Sequence, residues 1–162
     1  MLGSPQPATI EDCGSSAFGP SVRPSAHDVA FGPFRLVGAR HLSEEPPKSF
    51  TGDSRGRYRA SKIPAALKRG RRARLSVVHK DRRNASLMYA SPEAEVSDNH
   101  YPRYRLSAGT KRQRFVACDD RDWTVWPGYL VVRGPRCVGL KVRVGRREPV
   151  RRRLSFGGAD CR

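Results

Sequence analysis

Cysteine is the residue type whose chemistry depends most on spacing, and this chain has four: Cys13, Cys118, Cys137 and Cys161. The stretches between them are 104, 18 and 23 residues long. Thiolate metal centres draw ligands in pairs two to four residues apart, so these positions do not read as a zinc site. An even number of widely spaced cysteines suits long-range disulfides, and with them an oxidising compartment. Four reduced thiols in a cytosolic chain are the alternative. The four histidines (His27, His41, His79, His100) are scattered. A Cys–His nucleophilic pair needs a thiolate, which oxidised cysteines do not supply. The sequence contains no phosphate-binding Walker loop, dinucleotide fingerprint, Gly-x-Ser-x-Gly elbow or His-Glu-x-x-His pair. The expectation is a protein that is not an enzyme and takes no cofactor or metal.

Two further clusters carry polar or aromatic groups at close spacing. Asp119-Asp-Arg-Asp122 offers three carboxylates in a loop, where calcium would need several convergent oxygens. The plainer reading is an exposed turn balanced by nearby arginines. Trp123 and Trp126 lie three apart, so in an extended chain they point to opposite faces and form no flat stacking platform. One is expected in the core and the other partly exposed.

The remaining chemistry is cationic. Residues 1–54 carry 4 basic and 6 acidic groups, whereas residues 55–162 carry 28 and 9, giving the chain +17 overall. Such a field attracts polyanions: wall polymers, anionic lipid headgroups or nucleic acid. Arg69, Arg71, Arg72, Arg74, Arg151, Arg152 and Arg153 are the candidate anion contacts, each a multi-donor cation for phosphate or carboxylate. Arg outnumbers Lys 26 to 6, so GC-driven codon composition, leaving surplus arginine on solvated strand faces, is the competing explanation.

The elements that must position these groups are short strands. Leu, Ile, Val and Phe total 32 of 162 residues, which at this charge leaves no room for a large core. The longest apolar run is four residues, as at Tyr129–Val132, so no membrane span is expected. Residues 1–28 are rich in Ser, Pro, Gly and Ala and read as a flexible tail pinned at Cys13; residues 29–162 read as the folded domain. A strand is expected near 29–38, with Phe34 and Leu36 on one side. Another runs from Arg57 to Ile63, stopped by Pro64. Pro64–Arg69 reads as at most one helical turn. Ala73, Leu75 and Val77 alternate with Arg74 and Ser76; Phe115 and Ala117 oppose Arg112 and Arg114. Val138, Leu140, Val142 and Val144 alternate with Gly139, Lys141 and Arg143, and Leu154 and Phe156 oppose Arg153 and Ser155. Stretches 43–56 and 91–102 are loops by composition. Eight or so strands with Gly/Pro turns predict an all-β antiparallel β-sandwich, immunoglobulin-like or similar, with charged outer faces. If 129–132, 137–144 and 150–156 alternate in direction, Cys137 and Cys161 share one end and Cys118 is left for Cys13; four cysteines admit three pairings.

The order Phe115-Val-Ala-Cys118, Trp126-Pro-Gly-Tyr-Leu-Val-Val-Arg-Gly-Pro-Arg-Cys137, Val138-Gly-Leu-Lys-Val-Arg-Val144, Leu154-Ser-Phe-Gly157 and Cys161 resembles a known domain. Lys62-Ile-Pro64 and Arg72-Ala-Arg-Leu-Ser-Val-Val78 extend the likeness over roughly residues 29–162. The domain is β-rich and recurs in small exported or membrane-anchored actinobacterial proteins of unknown function. The resemblance implies an extracytoplasmic or secreted module in which Cys118, Cys137 and Cys161 are structural, and implies no activity. This chain is more basic than that group. Its first ten residues have neither a basic n-region nor an apolar h-region, so they do not read as a signal peptide. The leading expectation is therefore a non-catalytic extracytoplasmic binding or structural module contacting anionic envelope material or a partner protein. A cytoplasmic nucleic-acid-binding protein is the alternative.

Overall fold

The computed structural model describes residues 10–17, 24–41, 59–89, 106 and 109–162. The loops expected over 43–56 and 91–102 lie outside these residues, as do residues 1–9 and 18–23 of the N-terminal stretch. The described chain is all-β, and no helix of seven residues or more is present in it. Its strands are β1 (Ile10–Glu11), β2 (Val29–Phe31), β3 (Phe34–Leu36), β4 (Arg59–Lys62), β5 (Ala65–Lys68) and β6 (Arg72–Val77). They continue as β7 (Ala85–Met88), β8 (Arg112–Val116), β9 (Trp123–Trp126), β10 (Tyr129–Val132), β11 (Arg136–Val144) and β12 (Val150–Phe156). Three sheets result, with strand orders β1-β8-β6-β11-β12, β4-β10-β7 and β2-β3-β5-β9. Every pairing is antiparallel except β1 with β8. The packed, mostly antiparallel sheets are those of a β-sandwich.

Two local expectations change. The single strand expected near 29–38 is a hairpin, because Phe31 pairs directly with Phe34 across a two-residue loop. Gly32 takes the first loop position at φ 65°, a conformation that a side chain disfavours, and Pro33 fixes the next. Residues Ala65–Lys68 are a strand, not a helical turn. Ala, Leu and Lys favour helix intrinsically, but β5 is held on both sides, by β3 and by β9, and Ala65, Ala66 and Leu67 are all buried. Tertiary pairing overrides propensity there.

One core joins the sheets, and Phe115 of β8 stands at its centre. Its ring lies 5.3 Å from Phe34, 5.0 Å from Trp126 and 5.3 Å from Tyr89. Those partners belong to β3, to β9 and to the end of β7, so one side chain ties the five-stranded sheet to the other two. Burying a ring of this size contributes about 1.5–3 kcal/mol. Tyr89 donates its hydroxyl to the Ile63 carbonyl at 2.7 Å, and burial pushes its pKa far above the usual phenol range. Trp126 is fully buried and donates its indole N–H to the Asp12 carbonyl at 2.7 Å, whereas Trp123 is only half-buried.

Both disulfides pair as strand direction suggests. Cys13–Cys118 closes a sequence separation of 105 and Cys137–Cys161 one of 24. The first fastens the β1 segment beside β8. The second fastens the C-terminus to the start of β11.

Candidate anion-binding face

The five-stranded sheet turns one face inward and the other out, and alternation along each strand sorts its side chains. Ala73, Leu75 and Val77 of β6, Phe115 of β8, and Val138, Leu140, Val142 and Val144 of β11 enter the core. The residues between them point away from it. On β6 these are Arg72, Arg74 and Ser76; on β8, Arg112, Arg114 and Val116; on β11, Gly139, Lys141 and Arg143; on β12, Arg151, Arg153 and Ser155.

Register then assembles them into rows. Arg74 is paired with Arg114 on one side and with Arg143 on the other. Two residues along, Ser76 lies between Arg112 and Lys141, and Lys141 is opposite Arg151. The next row sets Gly139 opposite Arg153, and on the other side of the first row Arg72 is opposite Val116. Neighbouring strands are about 4.8 Å apart and alternate residues about 6.7 Å apart, so eight cations occupy a patch roughly two nanometres across. None of the outward positions of these strands is Asp or Glu. Asp81, at the corner where β6 ends, accepts the Gly139 N–H at 2.7 Å; a side chain at Gly139 would collide with Val78.

Crowding shows in Lys141. Its pKa is lowered from the ordinary lysine value by desolvation and then by Arg151, Arg112, Arg143 and Arg74, the guanidinium groups of its own and adjoining rows. Like charges this close oppose one another's ionisation, and arginine does not yield its proton, so the lysine responds.

The seven arginines singled out from the sequence divide. Arg72, Arg74, Arg151 and Arg153 lie on this face. Arg152 shares the register of inward-facing Leu140 at the sheet edge, is exposed, and donates to the Arg151 carbonyl. Arg69 and Arg71 sit in the β5–β6 turn, where Arg69 pairs with Asp122 at 2.9 Å. Arg112, Arg114, Lys141 and Arg143 complete the face but were not among those seven. Their alternation was visible in the sequence; which strands adjoin was not.

Other sequence candidates resolve differently. Among Asp119, Asp120 and Asp122, Asp120 is bonded to Arg121 and Asp122 to Arg69, and all three are exposed. The Arg121 hydrogen bond and charge hold the Asp120 carboxyl below the usual range. Cys13 and Cys118 lie near Asp120, but their sulfurs are bonded to each other and offer no thiolate. All four cysteines are oxidised, so no Cys–His nucleophile can form. Arg35 stands 5.8 Å over the half-buried Trp123 ring, a cation–π contact. His27 and His41 stack at 3.9 Å; His100 lies outside the described residues. No described helix is long and apolar enough to cross a membrane. No known family model matches the chain, and no curated protein matches it either.

Proposed function

We propose that this protein is a non-catalytic extracytoplasmic binding module whose cationic sheet face contacts an anionic envelope polymer. The observation that carries the reading is the single-sign face: eight Lys and Arg side chains on adjoining strands with no carboxylate at any outward position. Multidentate guanidinium groups on a rigid sheet suit a chain of phosphates, since their geometry is set before binding. Two disulfides favour an oxidising compartment over the cytosol, and so favour a wall or membrane-surface polymer over nucleic acid. The resemblance to an exported actinobacterial domain supports the same compartment.

The test is binding of poly(glycerol phosphate) to the disulfide-intact protein as a function of salt. Counterion release by a flexible polyanion gives a slope near −0.7 per phosphate neutralised, so full use of the face sets a limit near −6. Replacing Arg112, Arg114, Lys141 and Arg143 by Gln halves that slope if the face is the site. An unchanged slope in that variant, or no binding at low salt, refutes the proposal. A marked preference for RNA over poly(glycerol phosphate) at matched charge favours the nucleic-acid reading instead.

A further inference from the structure

The face is not uniform, and one part of it is built as a pocket. Strand β1 lies parallel to β8 with Ile10 beside Arg114, which raises a wall at the sheet's edge. Between this wall and β11 is an open depression of about 350 Å³ lined by Ile10, Arg72, Arg74, Arg114, Val116 and Arg143, with backbone of Ala73, Phe115 and Gly145. That volume is at the lower end of ligand-site sizes. Ile10 is 56% exposed, the one large apolar side chain so exposed among the described residues. None of the four arginines has a hydrogen-bond or ion-pair partner for its side chain among the described residues, and the lining contains no Asp or Glu.

We propose that this depression is a site for a phosphate monoester, seated between the Arg114–Arg74–Arg143 row and Arg72, with the ester's carbon arm against Ile10 and Val116. The proposal rests on the polyanion reading for the cationic face and goes beyond it, because the internal phosphates of a wall polymer are diesters and only a terminal phosphate is a monoester. A carboxylate satisfies one guanidinium fork and leaves the others uncompensated. A phosphate monoester carries close to two charges at neutral pH and three terminal oxygens, which three arginines from three neighbouring strands can share. A diester has one charge fewer and two terminal oxygens. The apolar wall has no use for a bare ion, and so points to an esterified phosphate.

The probes are phenyl phosphate, methyl phenyl phosphate, benzoate and inorganic phosphate, titrated at low salt into the disulfide-intact protein and followed by calorimetry and by the arginine Nε–H resonances. Phenyl phosphate is expected to bind about tenfold more tightly than the diester or benzoate, the screened Coulomb gain of one further charge among four guanidinium groups. Arg74→Gln, Arg114→Gln and Arg143→Gln each lose about tenfold. Arg153→Gln, in the face's far row, and Arg133→Gln, exposed in the turn between β10 and β11, stay within twofold, and Ile10→Ser weakens phenyl phosphate but not inorganic phosphate. Equal losses at Arg153 and Arg74 would mean diffuse attraction and overturn the site. Inorganic phosphate binding as tightly as phenyl phosphate overturns the ester assignment. If phenyl phosphate does not bind while poly(glycerol phosphate) still binds with a steep salt slope, the pocket falls and the face stands; if neither binds, both fall.

Discussion

Removing the Cys13–Cys118 crosslink should cost more stability than removing Cys137–Cys161, and the sequence separations set how much. A crosslink restricts the unfolded chain, and its effect grows with the logarithm of the loop it closes. For separations of 105 and 24 residues the loop-closure relation gives about 4.7 and about 3.4 kcal/mol at 25 °C. For a chain of this length, each kcal/mol moves the melting temperature by about 2–4 °C, so the expected drops are about 9–19 °C and about 7–14 °C. The perturbations are Cys13→Ala with Cys118→Ala, and Cys137→Ala with Cys161→Ala. Alanine at 118 places no new polar group in a buried position.

Urea unfolding measures both terms at once. Each double variant should show a lower midpoint and a larger m-value, because an uncrosslinked unfolded chain exposes more surface. The Cys13 variant has a second, local consequence. Without the disulfide, the β1 segment is held by its short pairing with β8, the Trp126–Asp12 bond and the Ala17–Val125 backbone bond, so Ile10 is free to leave the edge of the depression more often. The reasoning is refuted if the 137–161 variant loses more stability than the 13–118 variant, or if neither m-value rises.

Two other outcomes follow from the charged face. Lys141 should react with amine-selective reagents at pH 8 faster than Lys62, Lys68 or Lys80 and be protected by bound polyanion; because folding lowers its pKa, the folded state holds fewer protons than the unfolded chain below pH 10.5, and its contribution to stability rises with pH through that window. Mass-spectrometric labelling that ranks Lys141 with the others contradicts the crowding. Arg74→Thr should stabilise the protein by about 0.5–1 kcal/mol in urea, because it removes two like-charged cross-strand pairs and places a β-branched residue in a strand; a destabilised variant would mean that the three arginines do not repel.

Much of the architecture was legible because period-two alternation is a local signal. Ala73-Arg74-Leu75 and Val142-Arg143-Val144 declare which side is buried without reference to any other strand. The disulfide pairing was legible only in part: strand direction placed Cys137 and Cys161 at one end and left Cys118 for Cys13, the pairing found, but four cysteines admit three pairings and no strand direction was assigned at Cys13. What escaped depends on partners far along the chain. The Phe31–Phe34 hairpin is the exception, since its Gly32-Pro33 turn is a local signal and only the pairing of Phe34 and Leu36 with β5 is long-range. Ala65–Lys68 is extended because β3 and β9 flank it. The face itself is of this kind. Arg74, Arg114 and Arg143 are each visible as outward residues, but their row exists only because β6 lies between β8 and β11, strands separated from it by tens of residues.

That row bears on the two explanations of the arginine excess. Codon drift distributes arginine without regard to where carboxylates stand. Away from the face, four arginines pair with aspartate: Arg35 with Asp28, Arg69 with Asp122, Arg121 with Asp120, and Arg162 with Asp160. On the outer face of the five-stranded sheet, by contrast, eight cations stand with no acidic residue at any outward strand position. Each like-charged pair directly opposite costs a few tenths to one kcal/mol, in a chain whose core is fastened by two crosslinks. A segregated cost of this kind is offset most simply from outside, by an anion that neutralises the face when it binds. Composition accounts for the number of arginines; what would tie their row to function is binding of poly(glycerol phosphate) that weakens when Arg112, Arg114, Lys141 and Arg143 become Gln, with Asp81 at the Gly139 N–H marking where the cationic face meets a carboxylate.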